Sequence, residues 1–337
     1  MNGKRWAALS IAVGLFIFSV IINFATAAVF DDVGNWSEGI FAEQEKEFVE
    51  TVLMEGNGTR KILVLDVNGV IQDVGEDISS FFETSGYQHR LFLRMIEQAS
   101  EDETVEGVIV RVNSPGGGVV ESAEIHKELV ELQEKSGKPV YVSMGTMAAS
   151  GGYYISAPAD KIFAIPDTLT GSLGVIMQGI NYSGLAEKYG VTFQTIKSGP
   201  YKDIMSPTRE MTDAERDILQ SMVNNSYDQF VKVISEGRGI SESKVREFAD
   251  GRVYDGRQAL KLNLVDELGY FEDTVEAMRK DFNLANAPVV TYEQNFGLGS
   301  FFTMSVSKMF NQDIEMAGIM KLLSQPNSPR LMYLYAE

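Results

Sequence analysis

Ser150 stands in the stretch GTMAASGGYYIS, residues 145–156, between two alanines and two glycines. A serine that follows a strand and opens a helix holds its hydroxyl near partial positive charge, and Gly151 behind it offers an unblocked N–H. That is the logic of a nucleophile elbow, although A-x-S-x-G departs from G-x-S-x-G. The same residue type is also a common helix N-cap. A nucleophile needs a base, and the chain has two histidines, His89 in GYQHR and His126 between Ile125 and Lys127. Neither carries a local signal for catalysis. Lysine remains. A free lysine titrates at about 10.4, and bringing it to about 7–8 costs roughly 4 kcal/mol, which burial among apolar groups can supply. Lys202, in SGPYKDIMSPTREMT, is flanked by Tyr201, Ile204 and Met205, and Lys197 in TIKSGP is its rival. Lys161 and Lys188 read as solvated charges.

A second loop with chemical potential is NSPGGG, residues 113–118. Pro115 fixes one φ, and the glycines permit positive φ and close backbone approach. Free N–H groups in such a loop hold an anion or an oxyanion. The G-x-x-x-x-G-K-[ST] and G-x-G-x-x-G spacings are both missing, so neither a P-loop nor a dinucleotide fingerprint is present. A tight strand-to-helix turn is the plainer reading.

Composition narrows the chemistry. Zero cysteines exclude disulfides, thiol catalysis and Cys-ligated metal. Two distant histidines outside any H-E-x-x-H pattern argue against zinc, and no cofactor is expected. Forty-seven acidic residues against 29 basic ones give a net charge of −18. That balance argues against a nucleic-acid partner and against docking on anionic lipid through a basic patch.

The elements that must position these residues alternate. Strands are expected at 61–71, within 105–118 where the strand runs into the glycine loop, and at 140–145, 161–165, 173–177 and 191–196, from β-branched runs. Helices are expected at 87–100, with Leu91, Met95 and Ala99 on one face, and at 121–136, stopped by Gly137. TDAE at 212–215 is a capping box opening a helix to about Ser235, marked by Ile218, Met222, Phe230 and Ile234. A shorter helix follows at 241–250, and another is expected near 43–54. The alternation points to a largely parallel α/β core. Ahead of it, residues 6–30 are 25 uncharged residues behind Lys4 and Arg5. A helix of that length spans about 37 Å against about 30 Å of hydrocarbon. The positive charges stay inside, so the body lies outside the cytoplasm. ATAA at 25–28 offers a signal-peptidase site, but the length favours an uncleaved anchor.

Four ordered motifs, NSPGG, ASGGYYIS, TGSLGV (170–175) and GPYKD (199–203), behind this apolar segment, resemble the signal peptide peptidase A (SppA) family. These are membrane-anchored Ser/Lys peptidases of the Clp-protease/crotonase superfamily. The resemblance covers roughly residues 1–290, most specifically 108–210, and with one core the chain looks like the short form. It implies an α/β, Clp-protease/crotonase-like core of repeated β-β-α units with an N-terminal transmembrane helix. Carried over by position, Ser150 matches the nucleophile and Lys202, 52 positions later, the general base. Gly116 and Gly117 match one half of an oxyanion hole and Gly151 the other, while Ser172 is a candidate to orient the lysine.

The family acts on cleaved signal peptides, is held in membrane lipid by its N-terminal helix, and assembles as dome-like homo-oligomers, an octamer among the candidates. The expected organisation is a cytoplasmic stub and anchor at 1–30, a juxtamembrane spacer at 31–58, a peptidase domain at 59–295 and a peripheral tail at 296–337. The expected location is the cell membrane, single-pass, with the catalytic domain on the extracytoplasmic side. Two rivals stand beside this reading. One is a crotonase-type enzyme using the glycine loops for a thioester oxyanion, which the anchor disfavours. The other is a non-catalytic envelope scaffold or peptide-binding protein. The last residues, LMYLYAE, resemble an apolar peptide substrate, so the tail could enter the active site of its own or a neighbouring chain.

Overall fold

Runs of aliphatic residues form the strands of a largely parallel sheet in the computed structural model, which describes residues 47–74, 87–295 and 331–335. In chain order the elements are β1 (Phe48–Met54), β2 (Lys61–Asn68), α1 (His89–Glu101), β3 (Val105–Ser114), β4 (Gly116–Gly118), α2 (Val119–Ser136), β5 (Val140–Ala149) and α3 (Gly151–Ser156). They continue as β6 (Lys161–Ala164), β7 (Leu169–Gly171), α4 (Ser183–Lys188), α5 (Asp213–Arg238), α6 (Glu242–Phe248) and β8 (Val253–Tyr254). The last are α7 (Gly256–Lys261), β9 (Glu267–Leu268), α8 (Phe271–Asp281), β10 (Val289–Gln294) and β11 (Met332–Leu334).

The main sheet runs β1-β10-β2-β3-β5-β6-β9, with β7 beside the end of β5 and β8 beside β7. Pairs from β10 through β9 are parallel. Leu63 aligns with Val108, and Val110 with Val142. Helices cover these strands, so β2 and β3 are buried on both faces and read as continuous apolar runs. Ile62, Val64, Ile109, Tyr141, Phe163, Val275 and Met278 form one buried cluster. The unit β3-β4-α2 fits the expected β-β-α pattern, and β4 belongs to a separate two-stranded sheet with β11. The chain divides into two compact units, Met1–Val49 with Gln294–Gln312, and Glu50–Glu293 with Asp313–Glu337. In the first, the Asn295 N–H donates to the Glu47 carbonyl. The second holds the site.

Several expectations are corrected. Residues 48–54 form β1 rather than a helix, because Val49, Thr51 and Val52 are β-branched and the edge strand β10 offers a ladder. The 191–196 segment forms no strand; it alternates like one but lies exposed with no strand to pair with. In 173–177, Ile176 alone makes a bridge, to Met332. α1 buries Ala99 as expected, but Phe92 and Ile96 in place of Leu91 and Met95. α5 opens on the expected Thr212/Glu215 capping box and runs to Arg238 before Gly239 at φ 63°. Its buried apolar residues, Phe230, Val231, Val233 and Ile234, all lie in its second half; Ile218 and Met222 stay exposed. The described end of the expected tail, residues 331–335, is not peripheral, since Tyr333 is wholly buried. The apolar segment at 6–30 lies outside the described residues, among which no helix is long and apolar enough to cross a membrane.

Candidate active site

Ser150 joins β5 to α3 with φ 53° and ψ −114°, a backbone conformation that non-glycine residues rarely adopt. The surroundings hold it there. Its N–H donates to the Gly171 carbonyl at 2.8 Å, and its carbonyl accepts from the Tyr153 and Tyr154 N–H groups at 3.0 and 2.9 Å. The hydroxyl does not cap the helix. Oγ is buried with no hydrogen-bond partner. The N-cap alternative therefore fails, and a strained elbow presents an uncommitted hydroxyl instead.

Beside it, β4 lies between two backbones. On one side the Ile71 N–H donates to the Gly116 carbonyl at 2.9 Å, and the Gly118 N–H donates to the Ile71 carbonyl at 2.8 Å. On the other side β11 pairs antiparallel, Tyr333 opposite Gly117. Tyr335 N–H donates to the Pro115 carbonyl at 2.9 Å, and Val119 N–H to the Leu331 carbonyl at 3.4 Å. Bonded pairs alternate along such a ladder, so Gly117 and Tyr333 are the bonded pair between them. The Tyr333 carbonyl oxygen lies 3.1 Å from the point a Gly151 Cβ would occupy. Gly116, at φ 97°, tolerates no side chain either, because a Cβ would stand 2.1 Å from that oxygen. The Gly116 N–H is taken by Ser114 Oγ at 3.0 Å, which leaves Gly117 as the loop's outward donor. The Gly151 N–H has no acceptor among the described residues.

The strand β11 is bonded on its far side too, Met332 and Ile176 exchanging N–H···O bonds at 3.0 and 3.1 Å. The Tyr333 ring stacks on Tyr154 at 4.9 Å and meets Phe230 at 4.6 Å. Its hydroxyl donates to the Ser226 carbonyl at 2.9 Å, and burial raises its pKa. His126 stands edge-on to Tyr154 at 5.4 Å, with its pKa lowered by burial against the raising pull of Glu236. His89 is spent between Tyr87 and Glu124, each at 2.7 Å. This aromatic pocket escaped sequence reasoning: Phe230 showed only as a helix stripe, and nothing local joins it to Tyr154.

Within one chain the other expected residues do not meet Ser150. Lys202 is exposed, and its ammonium has no partner among the described residues, Ser150 and Ser172 included. Ser172 sits at φ 51° beside Gly171, its N–H donating to the Arg252 carbonyl at 2.7 Å. Lys197 pairs with Asp203 at 2.6 Å. Among the described residues no cluster could hold a metal ion.

A model of the family described as Peptidase family S49 matches residues 132–285. A protein of Enterococcus faecium named as a candidate signal peptide peptidase SppA is 44% identical over 298 residues, 88% of this chain and 86% of its own. Protease 4 of Haemophilus influenzae is 37% identical over 257 residues, 74% of this chain but 39% of that longer protein. Capsid assembly protease C of Escherichia phage lambda is 28% identical over 221 residues, 65% of this chain and 48% of its own. A backbone slot at a strained serine and identity sustained along nearly the whole chain lead to one conclusion: this protein belongs to peptidase family S49, among the signal peptide peptidase A proteins.

Proposed function

We propose that this chain is a membrane-anchored serine endopeptidase in which Ser150 is the nucleophile and Lys202 the general base. Its substrates are cleaved signal peptides and other short apolar peptides at the outer face of the cytoplasmic membrane. The observation that carries this reading is the Tyr333 carbonyl, seated on Gly117 beside the uncommitted Ser150 hydroxyl, where a scissile carbonyl belongs. Neutral Lys202 takes the Ser150 proton as Oγ attacks the carbonyl carbon. The Gly117 and Gly151 N–H groups hold the resulting oxyanion. Collapse expels the amine, which regains the proton, and water then cleaves the acyl-enzyme. The anchor is the uncharged segment 6–30.

The lysine is supplied by a second copy of the chain. In sequence its loop is flanked by segments that expose Ile180, Leu185, Tyr189, Ile196, Ile218 and Met222, apolar surface suited to another subunit. Burial against such a surface favours the neutral form of the lysine. Ser172, beside the backbone that locks Ser150, orients the arriving amine. A fluorophosphonate probe tests the nucleophile: it labels wild type and not Ser150→Ala, and absence of labelling from pH 6 to 10 refutes the reading. Co-assembly of inactive Ser150→Ala with inactive Lys202→Ala tests the sharing. Roughly a quarter of wild-type turnover returns if each site draws on two chains, and none if each is self-contained.

A further inference from the structure

Asp203, the residue after Lys202, is held from two directions. Arg209 donates Nε to its Oδ2 at 2.8 Å and a terminal nitrogen to its Oδ1 at 2.7 Å and its carbonyl at 3.1 Å. Lys197 adds a bond to Oδ1 at 2.6 Å. The other edge of the guanidinium takes both oxygens of Glu215 and the Glu210 carbonyl. Glu215 is buried and is the acidic member of the box that caps α5, accepting from the Thr212 N–H at 2.9 Å. Every N–H of Arg209 is engaged, and the fork bolts the lysine loop to the first turn of a 26-residue helix. The loop also holds Met205 at φ 60°, a strained conformation that needs such restraint.

We propose that Arg209 is a positioning residue for Lys202, with two effects. The proposal rests on the reading of Lys202 as the general base. The fork fixes the backbone from which the lysine reaches out, and it neutralises the adjacent Asp203 carboxylate. Losing Arg209 leaves Lys197 as the one cation paired with Asp203 among the described residues, and a carboxylate so much less balanced favours the protonated form of a neighbouring lysine. The charged groups facing Asp203 are Lys197 and Arg209, and Arg209 in turn faces Glu215.

The experiment is the pH dependence, from 6 to 10, of fluorophosphonate acylation of the full-length protein in detergent. In Arg209→Ala and Arg209→Lys, acylation at pH 7.5 falls about 10- to 100-fold and the acidic limb moves to higher pH. Adding Asp203→Asn to Arg209→Ala returns the limb toward its wild-type position while the rate stays low. Guanidinium ion added to Arg209→Ala restores part of the rate. Wild-type rate and limb in Arg209→Ala overturn the proposal. So does a loss of rate that tracks a fallen melting temperature with the limb unmoved. Lys202→Ala separates the two readings. If it acylates like wild type, the base assignment falls and this proposal with it; if it is inert while Arg209→Ala is normal, only the role of Arg209 falls.

Discussion

Gly117 has no room for a side chain, because a Cβ there would lie 1.9 Å from the Ile71 carbonyl oxygen. Gly117→Ala must push β4 away from one backbone neighbour, and the N–H proposed to hold the oxyanion moves with it. Acylation by the fluorophosphonate falls about 10²- to 10³-fold, the scale of losing one oxyanion donor. Tyr333 offers a gentler probe. Tyr333→Phe deletes the bond to Ser226, worth about 1 kcal/mol, and so weakens the tail's hold about fivefold. A fluorogenic peptide competing for the slot then shows a correspondingly lower apparent KM. An unchanged KM means that the hydroxyl contributes nothing to occupancy.

At the scale of elements, α2, α3 and α5 meet around the Tyr333 ring, with His126 of α2 half-buried against Tyr154 of α3. Burial lowers the pKa of His126 in the folded protein below its ordinary 6.5. The unfolded chain therefore binds more protons in that window, and stability falls as pH drops below about 6.5, until the folded histidine also titrates. His126→Gln flattens that part of the melting-temperature profile between pH 7 and 5; an unaltered slope assigns the acid sensitivity elsewhere. Much of this framework was legible in the residues. Gly137 and the Thr212/Glu215 box mark helix ends by local chemistry, and the apolar runs of β2, β3 and β5 announce buried parallel strands. The glycines of 113–118 and the Ser150 elbow were equally visible. Long-range pairing was not. The Tyr333–Gly117 register joins residues far apart in sequence, and 191–196 alternates like a strand but finds no neighbour to pair with. Lys202 could be recognised as a candidate base by its neighbours, but its exposure within one chain is a fact of tertiary placement.

For the whole molecule, the shared-site proposal has the exposed segments around Lys202 tie assembly to chemistry. Ile196 is fully exposed and Leu185 is 60% exposed. Leu185→Asp with Ile196→Asp yields smaller particles by light scattering and abolishes acylation together with assembly. Full acylation by a dispersed subunit would sink the shared-site reading. The tail makes a second prediction. Intact mass of wild type shows a chain ending at Tyr333, while Ser150→Ala keeps Glu337; identical termini argue against self-cleavage but leave occupancy standing.

The slot that β11 fills is walled by main chain on both sides, by Pro115 to Val119 and by Ile176. Five extended residues, about 17 Å of strand, fit between those walls. A peptide still coiled as a helix has its amides satisfied internally and cannot make either ladder. Unwinding must come before hydrolysis, so turnover of a helical peptide follows how cheaply its few central residues melt. On the proposed reading, a glycine placed next to the residue that takes the Tyr333 position makes the helix cheaper to melt and speeds cleavage, whereas a proline in the slot melts the helix but forfeits an N–H that the ladder uses.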